Sequence, residues 1–206
     1  MSKNQNMQHY ILLADLFRYP TENLKTATEE GLKMISRDFN SELPKFDRFS
    51  DHIREHSLME LQEYYVKTFD VQALCYLDIG YILFGDDLKR GNFLVQLQAE
   101  HQKVKNEPGT ELPDYLPNVL KLLAKTTDTE FANEFVQFIL LPAILSMIKG
   151  FKTESNAYLN LLQLLKEILK KDFGIEEFNI NLPAQKQDCL LAGNGCNVPS
   201  FENIKY

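Results

Sequence analysis

The chain has 206 residues, a net charge of −7 from 29 acidic and 22 basic side chains, and a 44% hydrophobic composition, enough to bury one core without disulfides or a structural metal. The acidic balance excludes general nucleic-acid binding, which needs clustered Lys and Arg, and favours a basic partner. Three scattered cysteines (Cys75, Cys189, Cys196), a polar N-terminus and no uninterrupted apolar run of membrane-spanning length point to a reducing, cytoplasmic setting without membrane insertion.

Apolar residues at helical spacing from Gln5 to Tyr19 (Met7, Tyr10, Ile11, Ala14, Phe17) predict a first helix that Pro20 ends. A second is expected from about Thr21 to Asp38, with Gly31 on its apolar face allowing a close helix crossing. Phe39–Arg54 reads as a loop and short helix whose aromatics plug the edge of the core. Ser57-Leu58-Met59-Glu60 is a capping box that opens a helix carrying Leu61, Tyr65 and Phe69 on one face. The β-former-rich run Leu74–Phe84 has no second strand to pair with, so it reads as a buried irregular or helical segment ending at Gly85. Asp86 or Asp87 then caps a helix through Val104 with Leu88, Gly91, Leu94, Leu97 and Val104 inward.

Between that helix and the next lies Glu111-Leu112-Pro113-Asp114-Tyr115-Leu116-Pro117, a stiff loop in which Asp114 is expected to cap a helix beginning at Tyr115, with Pro117 in its first turn. Thr127-Asp128-Thr129-Glu130 is a second capping box, before a helix with Phe131, Phe135, Phe138 and Ile139 on one face. Pro142 kinks or restarts that run, and Gly150 closes it. The last strong helix spans about Ser155–Phe173, with Lys170 and Lys171 at its end and Gly174 beyond. Residues 1–174 are expected to form one helical domain, and 175–206 an irregular or partly disordered tail.

No motif carries catalysis. His52 and His56 lie one helical turn apart but lack a third ligand, and Cys189 and Cys196 match no zinc spacing, so no metal or other cofactor is expected. Gly193-Asn194-Gly195 lacks the Lys-Ser/Thr of a phosphate loop.

Four segments, in order, resemble the NarJ/TorD/DmsD-type redox-enzyme maturation chaperones. The central Glu-x-Pro-Asp-Tyr loop is closest to the NarJ-like branch. Leu12–Pro20 resembles the family's first helix ending in Tyr-Pro, Tyr65–Asp70 its Tyr-x-x-x-Phe-Asp, and Gly85–Gly91 its Gly-acidic-x-x-x-Arg-Gly. Tyr81-Ile82 stands where the nitrate-reductase chaperones carry a Glu-His pair, and Tyr115 replaces a common His. The resemblance implies an all-α, single-domain helical bundle of the TorD/NarJ-like type. It further implies a non-enzymatic chaperone that binds the N-terminal signal or signal-like peptide of a molybdenum oxidoreductase catalytic subunit until molybdenum cofactor is inserted. The expected peptide-binding residues are Tyr65, Phe69, Asp70, Gly85, Asp86, Arg90, Glu111, Pro113, Asp114 and Tyr115. Of these, Asp70, Asp86 and Asp114 are expected to supply charge, and Tyr65, Phe69 and Tyr115 apolar contact. A helical adaptor binding an unrelated amphipathic helix is the alternative, with a metal or cofactor enzyme a third and weaker class.

Overall fold

α1 (His9–Leu16) is short because Pro20 follows closely, yet Tyr10, Leu13, Ala14 and Leu16 are buried and the rest of its side chains half-buried. It lies between α7 (Leu116–Lys125) and α2 (Leu24–Asp38). His9 Nε2 and the Tyr10 hydroxyl both reach the Asp172 carboxylate, at 2.8 and 3.0 Å, tying it to the far end of α10 (Ala157–Asp172). The computed structural model describes residues 7–71 and 73–176, and these form one helical bundle. Among the described residues there is no strand, only a single antiparallel bridge between Asp78 and Tyr115.

Phe39–Arg54 is more regular than its sequence suggests. After a 3₁₀ turn at Asn40–Glu42 comes a full helix, α3 (Leu43–Glu55), with Pro44 in its first turn where no intrahelical N–H is lost. Phe46, Phe49 and Ile53 are wholly buried against α2 and α10, so they belong to the centre of the core and not its edge. Gly31 permits this packing, since a Cβ there would lie 2.5 Å from the Phe46 ring. The Ser57–Glu60 capping box is formed and starts α4 (Leu58–Phe69), which buries Leu61, Tyr65, Thr68 and Phe69.

The run after α4 is irregular to Asp78, then helical in α5 (Ile79–Phe84), and turns at Gly85 with φ of +62°. Asp87 caps α6 (Leu88–Lys103) through the Lys89 amide. Its buried face is Phe93, Leu97 and His101; of the residues expected inward Leu97 is buried and Leu94 and Val104 half-buried, whereas Gly91 is exposed and Leu88 is 90% exposed because it opens the first turn on the solvent side.

The second cap is Asp128, whose carboxylate takes the Phe131 amide, and not Thr127. α8 (Thr129–Phe135), a wide π turn (Val136–Leu140) and α9 (Leu141–Gly150) form one run, and the wide turn just before Pro142 makes room for its ring without breaking the helix. Phe138 points outward, at 56% exposed. This run is long and apolar enough to cross a membrane, but half of its most apolar stretch is buried inside the bundle, as in the core helix of a globular domain. Asn156 caps α10, and beyond its end the Ile175 amide bonds back to the Lys170 carbonyl while the Ile175 side chain packs on the core. Most of the expected tail, with Cys189, Cys196 and Gly193–Gly195, lies outside the described residues.

Candidate functional site

The loop before α7 is held by polar side chains behind it. His101 donates from Nε2 to the Pro113 carbonyl (2.9 Å) and accepts at Nδ1 from Asn106 Nδ2 (2.8 Å); burial holds its imidazole below the usual pKa, so it is the neutral ring that makes both bonds. Asn106 also donates to the Asn118 carbonyl, and the Asn118 amide donates to the carbonyls of Pro108 and Leu112. In front, the loop bonds to the segment before α5: the Ile79 amide donates to the Asp114 carbonyl and the Leu116 amide to the Leu77 carbonyl.

Asp114 is therefore not a helix cap. α7 begins at Leu116, and its cap residue Tyr115 makes no side-chain capping bond. The Asp114 side chain is fully buried and turned the other way, accepting from the Gly80 amide at 3.1 Å and lying 3.5 Å from Arg90 Nε. Gly80 is required for this approach, because a Cβ would stand 2.6 Å from the carboxylate and 2.9 Å from the Phe93 ring. The ion pair is incompletely satisfied: Asp114 Oδ1 and Arg90 Nε have no hydrogen-bond partner among the described residues. Burial outweighs Arg90 and the Gly80 amide and pushes the Asp114 carboxyl upward.

A second carboxylate faces the same cation. Asp78 is pushed up to about 6, first by burial and then by repulsion from Asp114, with Arg90 acting against both and the exposed Glu111 adding to them. Arg90 also lies over the Tyr81 ring, 5.3 Å from its centroid, and Tyr81 meets Tyr76 edge to face. Asp78 and Asp114 thus share one arginine beside Tyr81, with Glu111 acting on Asp78, and this part-buried acidic cluster, the notch, has excess negative charge.

The notch continues toward α1. The hydroxyls of Tyr65 and Tyr115 lie 2.9 Å apart, so that one donates to the other and the other's proton goes to the Phe17 carbonyl at the end of α1, which lies 3.1 Å from Tyr65 and 3.4 Å from Tyr115. Tyr19 packs edge-on against Tyr65. Tyr19, Tyr65, Arg90, Asp114 and Tyr115, from all four resemblance segments, thus converge.

Other expected residues sit elsewhere. Phe69 is a core residue packed on Tyr158, and the Tyr65 ring packs on Tyr158 as well while its hydroxyl reaches Tyr115, so neither presents the apolar surface expected of it. Asp70 and Asp86 are exposed, at the end of α4 and just ahead of α6. Gly85 turns the chain, and Pro113 contributes its carbonyl to the lock. Asp78, Gly80 and Tyr81 were missed, although they lie in the segment read as buried; His101 was missed too, its available signal being the four-residue steps from Phe93 to Leu97 to His101.

Among the described residues no group of three or more His, Cys, Asp and Glu is placed to hold a metal. The His52 and His56 rings lie 4.3 Å apart, tilted by 36°, and His56 Nδ1 is engaged with the His52 carbonyl. The only cysteine in that range, Cys75, is buried, which pushes its thiol up to about 12, away from the reactive thiolate.

No family model matches the chain. Over 179 residues it is 27% identical to the probable nitrate reductase molybdenum cofactor assembly chaperone NarW of Escherichia coli (strain K12), an alignment covering 84% of this chain and 74% of that protein. That likeness, together with the all-helical bundle, supports a place in the TorD/NarJ-like chaperone superfamily and does not choose a branch within it.

Proposed function

We propose that this chain is a system-specific chaperone that binds the N-terminal, signal or signal-like peptide of a molybdenum oxidoreductase catalytic subunit and holds that subunit during molybdenum cofactor insertion. The observation that carries the reading is the notch itself, where two part-buried or buried carboxylates share one arginine beside tyrosine rings. A Lys or Arg from a peptide would complete the charge balance, and the rings would cover its aliphatic stem. The distant likeness to a molybdenum cofactor assembly chaperone supplies the client class.

Calorimetry with the N-terminal peptide of a molybdoenzyme subunit from the same cell tests this. Asp78→Asn and Glu111→Gln are expected to weaken binding and flatten its salt dependence, because Glu111 is exposed, Asp78 is half-buried beside Arg90, and both substitutions remove charge while keeping the shape of the side chain. Unchanged affinity in the double variant would sink the site. Capture from the native cell with an unrelated helical protein as partner would favour the adaptor reading instead.

A further inference from the structure

The apolar contact surface expected from Tyr65 and Phe69 has to come from somewhere else, since both are buried. The outer face of α4 provides it. Met59 is 76% exposed there and Val66 half-buried, Val71 in the turn just beyond its end is 62% exposed, and Tyr19, 50% exposed, forms the opposite wall. Together they line a groove of about 440 Å³. Gln62 fixes its depth by donating to the Pro20 carbonyl at 3.0 Å, which ties α4 to the turn after α1. Glu63 and Lys67 pair at 2.6 Å along its rim, so the groove has no charge preference of its own.

We infer that this groove is a second subsite of the peptide proposed above, taking an apolar helical stripe that adjoins the peptide's basic residue. Two observations carry it. Tyr19 is common wall to the groove and partner of Tyr65, and Tyr65 is hydrogen-bonded to Tyr115, which neighbours Asp78 and Glu111, so two side chains link the groove to the acids of the notch. The seven-residue step from Met59 to Val66 spans about 10 Å, or two helical turns, which matches apolar anchors at i, i+3 or i+4, and i+7 on an apposed helix. The acidic notch fixes which end of that helix carries the cation.

The inference rests on the functional reading and fails separately from it. The probe is a synthetic helical peptide of about 20 residues, with a Leu stripe at that spacing next to two arginines, followed by fluorescence anisotropy at low and high salt. Met59→Asp and Val66→Asp, on the outer face of a helix, are expected to keep the helical circular dichroism of the full chain. Each is expected to weaken binding by about tenfold, with the loss persisting at high salt, whereas Asp78→Asn costs affinity mainly at low salt. Groove variants that bind like wild type while Asp78→Asn does not would overturn the second subsite and leave the notch standing. No binding of this probe by the wild-type chain, with the natural peptide bound normally, would overturn the helical stripe. A concentration-dependent dimer that Val66→Asp abolishes would assign the groove to a second copy and overturn the inference.

Discussion

At the scale of single residues, the informative group is Asp78. Its carboxyl rises from 3.8 to about 6 because it is buried beside Asp114, so part of the population is protonated at mildly acidic pH. A bound cation stabilises the ionised form and pulls that pKa back down. Peptide binding should therefore release a proton between about pH 5 and 7, and affinity should rise across the same window. Calorimetry in two buffers of different ionisation enthalpy measures the release directly. The expected result is a buffer-dependent heat that disappears in Asp78→Asn; a heat independent of buffer in the wild type would separate Asp78 from the binding event.

Between elements, the central loop is clamped from two sides, and each side makes its own prediction. In front, Gly80→Ala forces a methyl into the space of the Asp114 carboxylate and the Phe93 ring, and the expected cost is about 1–3 kcal/mol in chemical denaturation. Behind, the neutral His101 ring links Pro113 to Asn106. Its lowered pKa means that the unfolded chain takes up a proton near pH 6.5 while the folded chain does not, so this contribution is complete above that pH and is lost as pH falls below it. Asp78 runs the other way, since the folded state holds its proton up to about 6 and stability declines as pH rises from about 4 to 6. Comparing melts of wild type and His101→Gln from pH 7 to 5 isolates the first effect, and the variant should lose less stability on acidification. The clamps also mark where sequence reading stops. Helices and the Ser57 box were legible because they depend on neighbours three or four residues away, and Gly31 was legible as a small residue on the apolar face of α2, whereas its partner Phe46 comes from another helix. The partners of Asp114 were not, because a carboxylate one residue ahead of a helix satisfies the local capping pattern equally well, and only the long-range approach of Gly80 and Arg90 turns it inward. Likewise Tyr65 and Phe69 were recognisable as motif residues, but whether a motif aromatic faces solvent or core is decided by what α10 places against it.

For the whole molecule, the order of packing says how much chain the bundle needs. α1 and α10 close the structure on each other through His9, Tyr10 and Asp172, and Lys171 bonds the Asp38 carbonyl at the end of α2. The helix signal ends just beyond, where the Ile175 amide returns to Lys170 and its side chain covers the core. Residues 177–206, with Ile180, Leu190, Leu191 and Phe201 scattered among polar positions, have no periodicity that would bury a continuous face. A chain ending at Glu176 is therefore expected to melt as cooperatively as the full chain, with its midpoint within a few degrees, whereas one ending at Phe173 loses the Ile175 contact and melts lower. The same scattered apolar residues suit a weak intramolecular competitor for the groove on α4. If they act as one, the Glu176 truncation should bind client peptide more tightly, since removing a competing ligand frees the competent state. Equal affinity in the two chains would show that the segment does not compete, and a collapsed melt would show that it packs as part of the core.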